Sequence, residues 1–202
     1  MESDKDTIPA GAEGADEASA TANARRWWVR GVLGALVVLA LIALGLLVSV
    51  WRHPSAFPEA GGWGVGTRHQ KMNEPVFVGV CHPDEDAEGT VSIDKVKGHA
   101  VTDTAAAQLA YFVCTIDTAA EGTIGSGSQA DVDEFCSTLT PADGATLSLG
   151  NHPREQLLLE VTPTRQGVVK IHGLDVTYTH GWQHGTQRIG GDVKVRTVGS
   201  HR

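Results

Sequence analysis

The sequence carries none of the short motifs that mark common enzyme chemistries. There is no G-x-S-x-G elbow, no G-x-x-x-x-G-K-[ST] phosphate loop, and no G-x-G-x-x-G after a strand-like run. The stretch "GSGS", residues 125–128, has no nearby lysine or arginine after it to complete an anion cradle. Cys81 and His82 are neighbours on a strand-like run, so their side chains project to opposite faces and do not form a nucleophile–base pair. Basic residues are outnumbered, 16 against 24 acidic ones for a net charge of -8, which speaks against a nucleic-acid partner. Cysteine is also scarce, and three thiols cannot all pair within one chain. These absences predict a protein that is not an enzyme and has no cofactor.

What the chain does have begins with a long apolar run. Residues 31–50 contain no charge and only Ser49 as a polar side chain. Twenty residues at 1.5 Å each span roughly the 30 Å of a bilayer's hydrocarbon core. Trp27, Trp28 and Trp51 stand at its ends, where an amphipathic ring sits at headgroup level. Arg25, Arg26 and Arg30 precede it, and only Arg52 is as close on the far side. The excess of positive charge predicts a single-pass membrane helix with a cytoplasmic N-terminus and an extracytoplasmic C-terminal domain. The run ends in "SVWRHP", without the small-x-small site of a cleaved signal peptide.

Composition then divides the rest of the chain. Residues 1–24 have one isoleucine and no aromatic residue, too little apolar surface to offset the entropy of ordering, and read as a disordered acidic cytoplasmic tail. Residues 25–52 are the transmembrane helix with its flanks. Residues 53–72, rich in proline and glycine, read as a flexible tether. Residues 73–199 read as an extracytoplasmic domain.

That domain shows seven strand-like runs, at residues 75–80, 89–96, 108–116, 145–150, 156–162, 168–178 and 192–198. Their number and spacing predict an all-β antiparallel sandwich. In the sixth run the apolar parity shifts at Gly173, which predicts a β-bulge. One segment departs from the strand period. In "SQADVDEFCSTLTP" the residues Val132, Phe135, Cys136 and Leu139 recur at helical spacing, which predicts a short helix with Cys136 on its buried face. Cys114 shares its strand parity with Phe112 and Ile116 and so faces a core. A Cys114–Cys136 disulfide is the favoured pairing, with Cys81–Cys114 and three reduced thiols as alternatives.

Residues 157–195, "LLLEVTPTRQGVVKIHGLDVTYTHGWQHGTQRIGGDVKV", resemble the closing strands of immunoglobulin-like domains in single-pass membrane proteins of high-GC actinobacteria. The resemblance implies an immunoglobulin-like fold and an envelope location, and no activity. The usual pair of cysteines with a core tryptophan between them is not met, since Trp63 precedes the domain and Trp182 falls in a late loop.

Two stretches are candidates for metal. His180 and His184, with His172 on the preceding run, are the candidate metal ligands, although Gly181 and Gly185 argue against the helix on which a four-residue histidine spacing normally converges. The competing expectation is a hairpin connection in which Tyr178 ends one strand, Ile189 begins the next, and Gly190 and Gly191 form a bulge. There Trp182 folds back over apolar surface, and its loss costs about 2 to 4 kcal/mol. "DEDAEG", residues 84–89, opens like a calcium loop but has Lys95 at the twelfth position, and reads as an acidic turn.

Charge is uneven along the domain. Between Asp84 and Asp143 there are twelve acidic and two basic residues, while residues 151–202 hold seven basic and four acidic. Such polarity suits contact with a partner. The expected function is a non-catalytic anchored domain that binds another envelope or secreted protein. A metal- or solute-binding module, or an enzyme whose site is assembled from distant residues, are the alternatives.

Overall fold

A computed structural model describes residues 14–53, 55–57, 64–81, 88–150 and 152–197. The chain divides into two compact units, Met1–Val48 and Ser49–Arg202. The first holds most of helix α1, Gly14–Arg52, whose stretch Val32–Arg52 is long and apolar enough to cross a membrane. Its leucines and valines are exposed from Val32 to Val50, which a helix tolerates when lipid takes the place of a protein core. The disordered tail expected up to residue 24 is corrected in part, because the helix already runs from Gly14. Residues 1–13 lie outside the described residues.

Among its described residues the second unit contains ten strands and one short helix, besides the last residues of α1. Five strands form one sheet: β1 (Gly64–Gln70), β10 (Gln183–Thr197), β9 (Gly167–His180), β3 (Thr90–Asp103) and β7 (Thr146–Ser148), in that order. The other sheet has the order β5 (Ser126–Gly127), β2 (Val76–Cys81), β8 (Glu155–Thr162), β4 (Gln108–Ile116) and β6 (Cys136–Pro141). β1 runs parallel to β10, and the other pairings are antiparallel. The two sheets make a β-sandwich-like fold, as the spacing of the runs predicts, but the expected all-antiparallel pairing is corrected at the edge strand β1, which is parallel to β10.

Alternation along the strands builds the core between the sheets. Val76, Val78 and Val80 of β2, with Leu157, Leu159 and Val161 of β8, meet Ile93, Ile171, Val176, Val193 and Val195 of the facing sheet. β2 and β8 are apolar on both faces, and their other side serves a second cluster. Phe77, Cys114, Ile116, Leu158, Ile124 and Val132 pack there, roofed by helix α2, Gln129–Phe135, and the loop before it. A strand reads as a continuous apolar run when both of its faces are covered.

Four further expectations about the second unit are corrected. The helix ends at Phe135, so Cys136 is not on it but begins β6, opposite Ile116. Helical spacing in the sequence survives only as far as the pairing edge of β4 allows. The tether over residues 53–72 is not free throughout, because Gly64–Gln70 is an edge strand and Phe57 is buried. Ala56 N–H donates to Tyr178 OH at 2.9 Å, and Phe57 N–H donates to Gln187 Oε1 at 3.3 Å. Gln187 Nε2 donates in return to Phe57 C=O at 2.7 Å, while the Phe57 and Tyr178 rings meet edge to face at 4.9 Å. Burying one phenylalanine is worth about 1.5 to 3 kcal/mol, which adds to these hydrogen bonds in holding Ala56 and Phe57 on the sheet.

The last hairpin is the third and fourth correction. β9 continues past Tyr178 to His180, and β10 begins at Gln183 rather than near Ile189, so the turn has two residues, Gly181 and Trp182. Gly181 has φ +58, which the first central residue of a II′ hairpin turn requires. Trp182 does not fold back; it stands at the tip, 57% exposed. Its replacement by alanine is therefore expected to shift stability by less than about 0.5 kcal/mol, as read by denaturant unfolding, against the 2 to 4 kcal/mol expected for a buried ring. The bulge is found where the glycines place it. Gly190 and Gly191 oppose Gly173 alone, between the pairs Ile189 with Leu174 and Asp192 with His172.

Candidate binding face

The outer face of the β1-β10-β9-β3 sheet carries side chains of one dominant sign. Strand alternation sends Lys170 and His172 of β9, and Asp192, Lys194 and Arg196 of β10, outward while Val169, Ile171, Val193 and Val195 go to the core. β3 adds Lys95, Lys97 and the 63% exposed Val101. Two of the acidic residues on this face, Asp175 and Asp192, are already engaged. Arg188 Nε and Nη2 donate to the two oxygens of Asp175 at 2.7 and 3.1 Å, and this hydrogen-bonded pairing holds the Asp175 carboxyl below its ordinary range. Asp192 pairs with the His172 ring, and Asp94 lies 4.0 Å from His184. Lys170, Lys194 and Arg196 have no ion pair among the described residues.

Two of those cations are forced together. Lys194 is the direct cross-strand partner of Lys170, an arrangement in which like charges repel. On its other side Lys194 pairs with Gly66 of β1, which has no side chain to screen it. Recesses of about 360 Å³, lined by Val101, Lys170, His172, Asp192 and Lys194, and about 520 Å³, lined by Gly66, Thr67, His69, Lys194 and Arg196, flank this point. The opposite surface differs in sign. Asp131, Asp133 and Glu134 lie on α2, the roof of the second cluster. The charge asymmetry seen along the sequence becomes an asymmetry between the two faces of the sandwich. No family model matches the chain, and no curated protein or solved structure matches it.

The candidate metal ligands are not brought together. His172 lies eight positions before His180 on one strand, a separation of about 26 Å at 3.3 Å per residue. His184 pairs with Thr179 and His180 with Gln183, so alternation turns the two imidazoles to opposite faces. Among the described residues no three His, Cys, Asp or Glu side chains converge. In the acidic turn, residues 84–87 lie outside the described residues. The disulfide is found between Cys114 and Cys136, with Cα atoms 5.5 Å apart. Cys81 is buried, and burial pushes its thiol up to about 12.

A third recess, of about 330 Å³, brings Asp117, Ser137 and His152 into one lining. Those residue types invite comparison with a charge-relay set. The hydrogen bonds run elsewhere: Ser137 Oγ donates to Thr115 C=O at 3.0 Å, and Asp117 Oδ1 accepts from Ala119 N–H at 2.8 Å. Nucleophile, base and orienting carboxylate are not linked in series.

Proposed function

We propose that this chain is a membrane-anchored, extracytoplasmic, immunoglobulin-like domain that binds an acidic partner protein of the cell envelope on the outer face of β1, β10, β9 and β3, and that it performs no catalysis. The observation that carries the binding face is the cross-strand pair Lys170 and Lys194 with Arg196 beside it. A fold does not gain stability from holding like charges in register. A carboxylate-bearing partner would relieve that repulsion. Exposed Val101 beside the cations gives the mixed apolar and charged surface that protein interfaces use.

The location rests on charge and on sulfur. Arg25, Arg26 and Arg30 lie before the apolar span and Arg52 alone after it, which favours a cytoplasmic N-terminus. The Cys114–Cys136 bond suits an oxidising compartment outside the cell. Strand order supports the immunoglobulin-like reading. β2, β8 and β4 are neighbours in one sheet and β3, β9 and β10 in the other. These correspond to the B-E-D and C-F-G groupings of that fold, with β1 paired to the last strand. The disulfide differs from the inter-sheet bridge of antibody domains, since it joins the neighbouring strands β4 and β6.

The test compares the full chain with the variant Lys170→Glu, Lys194→Glu, Arg196→Glu as bait in detergent-solubilised native membranes. The wild type is expected to retain a stoichiometric acidic protein at low salt and to release it as salt screens the contact. The variant is expected to retain none of it. Equal capture by both baits would remove this face from the account.

A further inference from the structure

β1 leaves the register of β10 near its end. From Thr67 to Gln70 it advances three residues while β10 advances two, from Val195 to Thr197. The extra residue makes a bulge beside Arg196, and bulges at sheet edges re-aim side chains. His69 lies in this bulge with φ +68, a left-handed conformation uncommon in residues other than glycine. Backbone of that kind clusters where a side chain is held for a task.

The bulge and the end of β10 border the recess of about 520 Å³ lined by Gly66, Thr67, His69, Lys194 and Arg196. Lys194 and Arg196 lie two apart on one strand, so alternation sends both to the outer face with about 7 Å between their Cα atoms. Both are exposed, as is His69. Gly66 opposes Lys194 and leaves the space beside it open, since a Cβ there would meet nothing nearer than the Lys194 carbonyl oxygen at 4.0 Å. Among the described residues no acidic side chain lines the recess. Asp192, two before Lys194 on the same face, is already paired with His172. In a chain of net charge -8, a recess with three basic side chains and no carboxylate runs against the prevailing sign.

We infer that this recess is an anion site that takes the phosphate group of a small molecule, with Lys194 and Arg196 supplying charge and His69 a ring N–H. A phosphate group carries about -1.5 to -2 at neutral pH and three acceptor oxygens, so it answers two fixed cations where a single carboxylate would leave one unmet. Arginine meets such oxygens with its planar fork and lysine with a point charge. Small-molecule sites span about 300 to 1,000 Å³. The recess therefore has room for the organic group that carries the phosphate. The site requires no protein partner, and goes beyond the one proposed above.

The test follows the phosphorus nuclear magnetic resonance signals of inorganic phosphate and of glycerol phosphate, each titrated with the purified full chain in a maltoside detergent. Saturable broadening of either probe supports the site, and the probe with the lower half-saturation distinguishes a carried phosphate from the free ion. Lys194→Gln and Arg196→Gln are each expected to weaken binding about tenfold or more, as the loss of a hydrogen bond to a charged group does. Gly66→Asp puts a carboxylate into the recess and is expected to abolish binding. Gly66→Ala, and Lys95→Gln on β3 of the same face, are expected to keep half-saturation within about twofold, since exposed charges farther off are screened. No saturable broadening, displacement by acetate at equal concentration, or a loss in Lys95→Gln as large as in Arg196→Gln would overturn the site. No partner protein is present, so the result is separate from that of the capture experiment.

Discussion

Replacing Gly79 by alanine is expected to destabilise the sandwich by about 3 kcal/mol or more, summing overpacking with unsatisfied buried polar groups. A Cβ at this position would lie 2.0 Å from Gln156 Nε2 and 2.0 Å from the Ile124 carbonyl oxygen. The Gln156 side chain is fully buried and bridges to a neighbouring backbone. Ile124 N–H donates to its Oε1 at 3.0 Å, and its Nε2 donates to Ile124 C=O at 2.6 Å. The added methyl group has to expel the amide, and each buried group that loses its partner costs about 1 to 3 kcal/mol. Thermal melts of the full chain in detergent, followed by near-ultraviolet circular dichroism, provide the check. A Gly79→Ala protein that melts with the wild type would mean that Gln156 does not hold the loop against β2.

Converting both Cys114 and Cys136 to alanine is expected to cost about 3 kcal/mol, from the added freedom of the unfolded chain when a loop of this size is opened. The bridge spans 22 positions and closes the segment that includes α2. Its loss also loosens the roof over Phe77 and Leu158, while the core between the sheets keeps all its partners. Hydrogen exchange should therefore rise across residues 117–136 before it rises in β9 and β10. A uniform rise over both sheets would show the two clusters to be one cooperative unit, contrary to this account.

The strands with alternating or continuous apolar runs were legible from their residues. The run "QLAYFVCTI" predicts a strand over Gln108–Ile116, and β4 spans those residues. β1 was not legible, because "GVGTRHQ" has little β-branched content and gains its strand form from pairing to β10. Cys136 shows the converse. Helical spacing from Val132 to Leu139 was genuine as a pattern, but β4 offered an unpaired edge, and tertiary pairing outweighed local propensity. The size of Trp182 points to burial, but Gly181 at φ +58 closes a two-residue turn that leaves the ring exposed at its tip.

The proposed binding face was half legible for a related reason. The sequence gives the count of charges, and their excess in residues 151–202 was visible. Which cations lie opposite one another depends on register, and the bulge at Gly173, Gly190 and Gly191 resets it by one residue. Only with that shift in place does Lys170 come to oppose Lys194. The histidines follow the same rule, since two-residue closure at Gly181 and Trp182 turns His180 and His184 apart.

The central claim is that an anchored domain meets its partner through one face. A photo-reactive residue is placed at Lys194 in one full-length chain and at Glu134, on the opposite acidic surface, in another, and both are irradiated in intact native membranes. The account predicts a single crosslinked protein from position 194, lost when Lys170 and Arg196 are changed to glutamate, and none from position 134. The same product from both positions, or a product at 194 indifferent to those two substitutions, would contradict it.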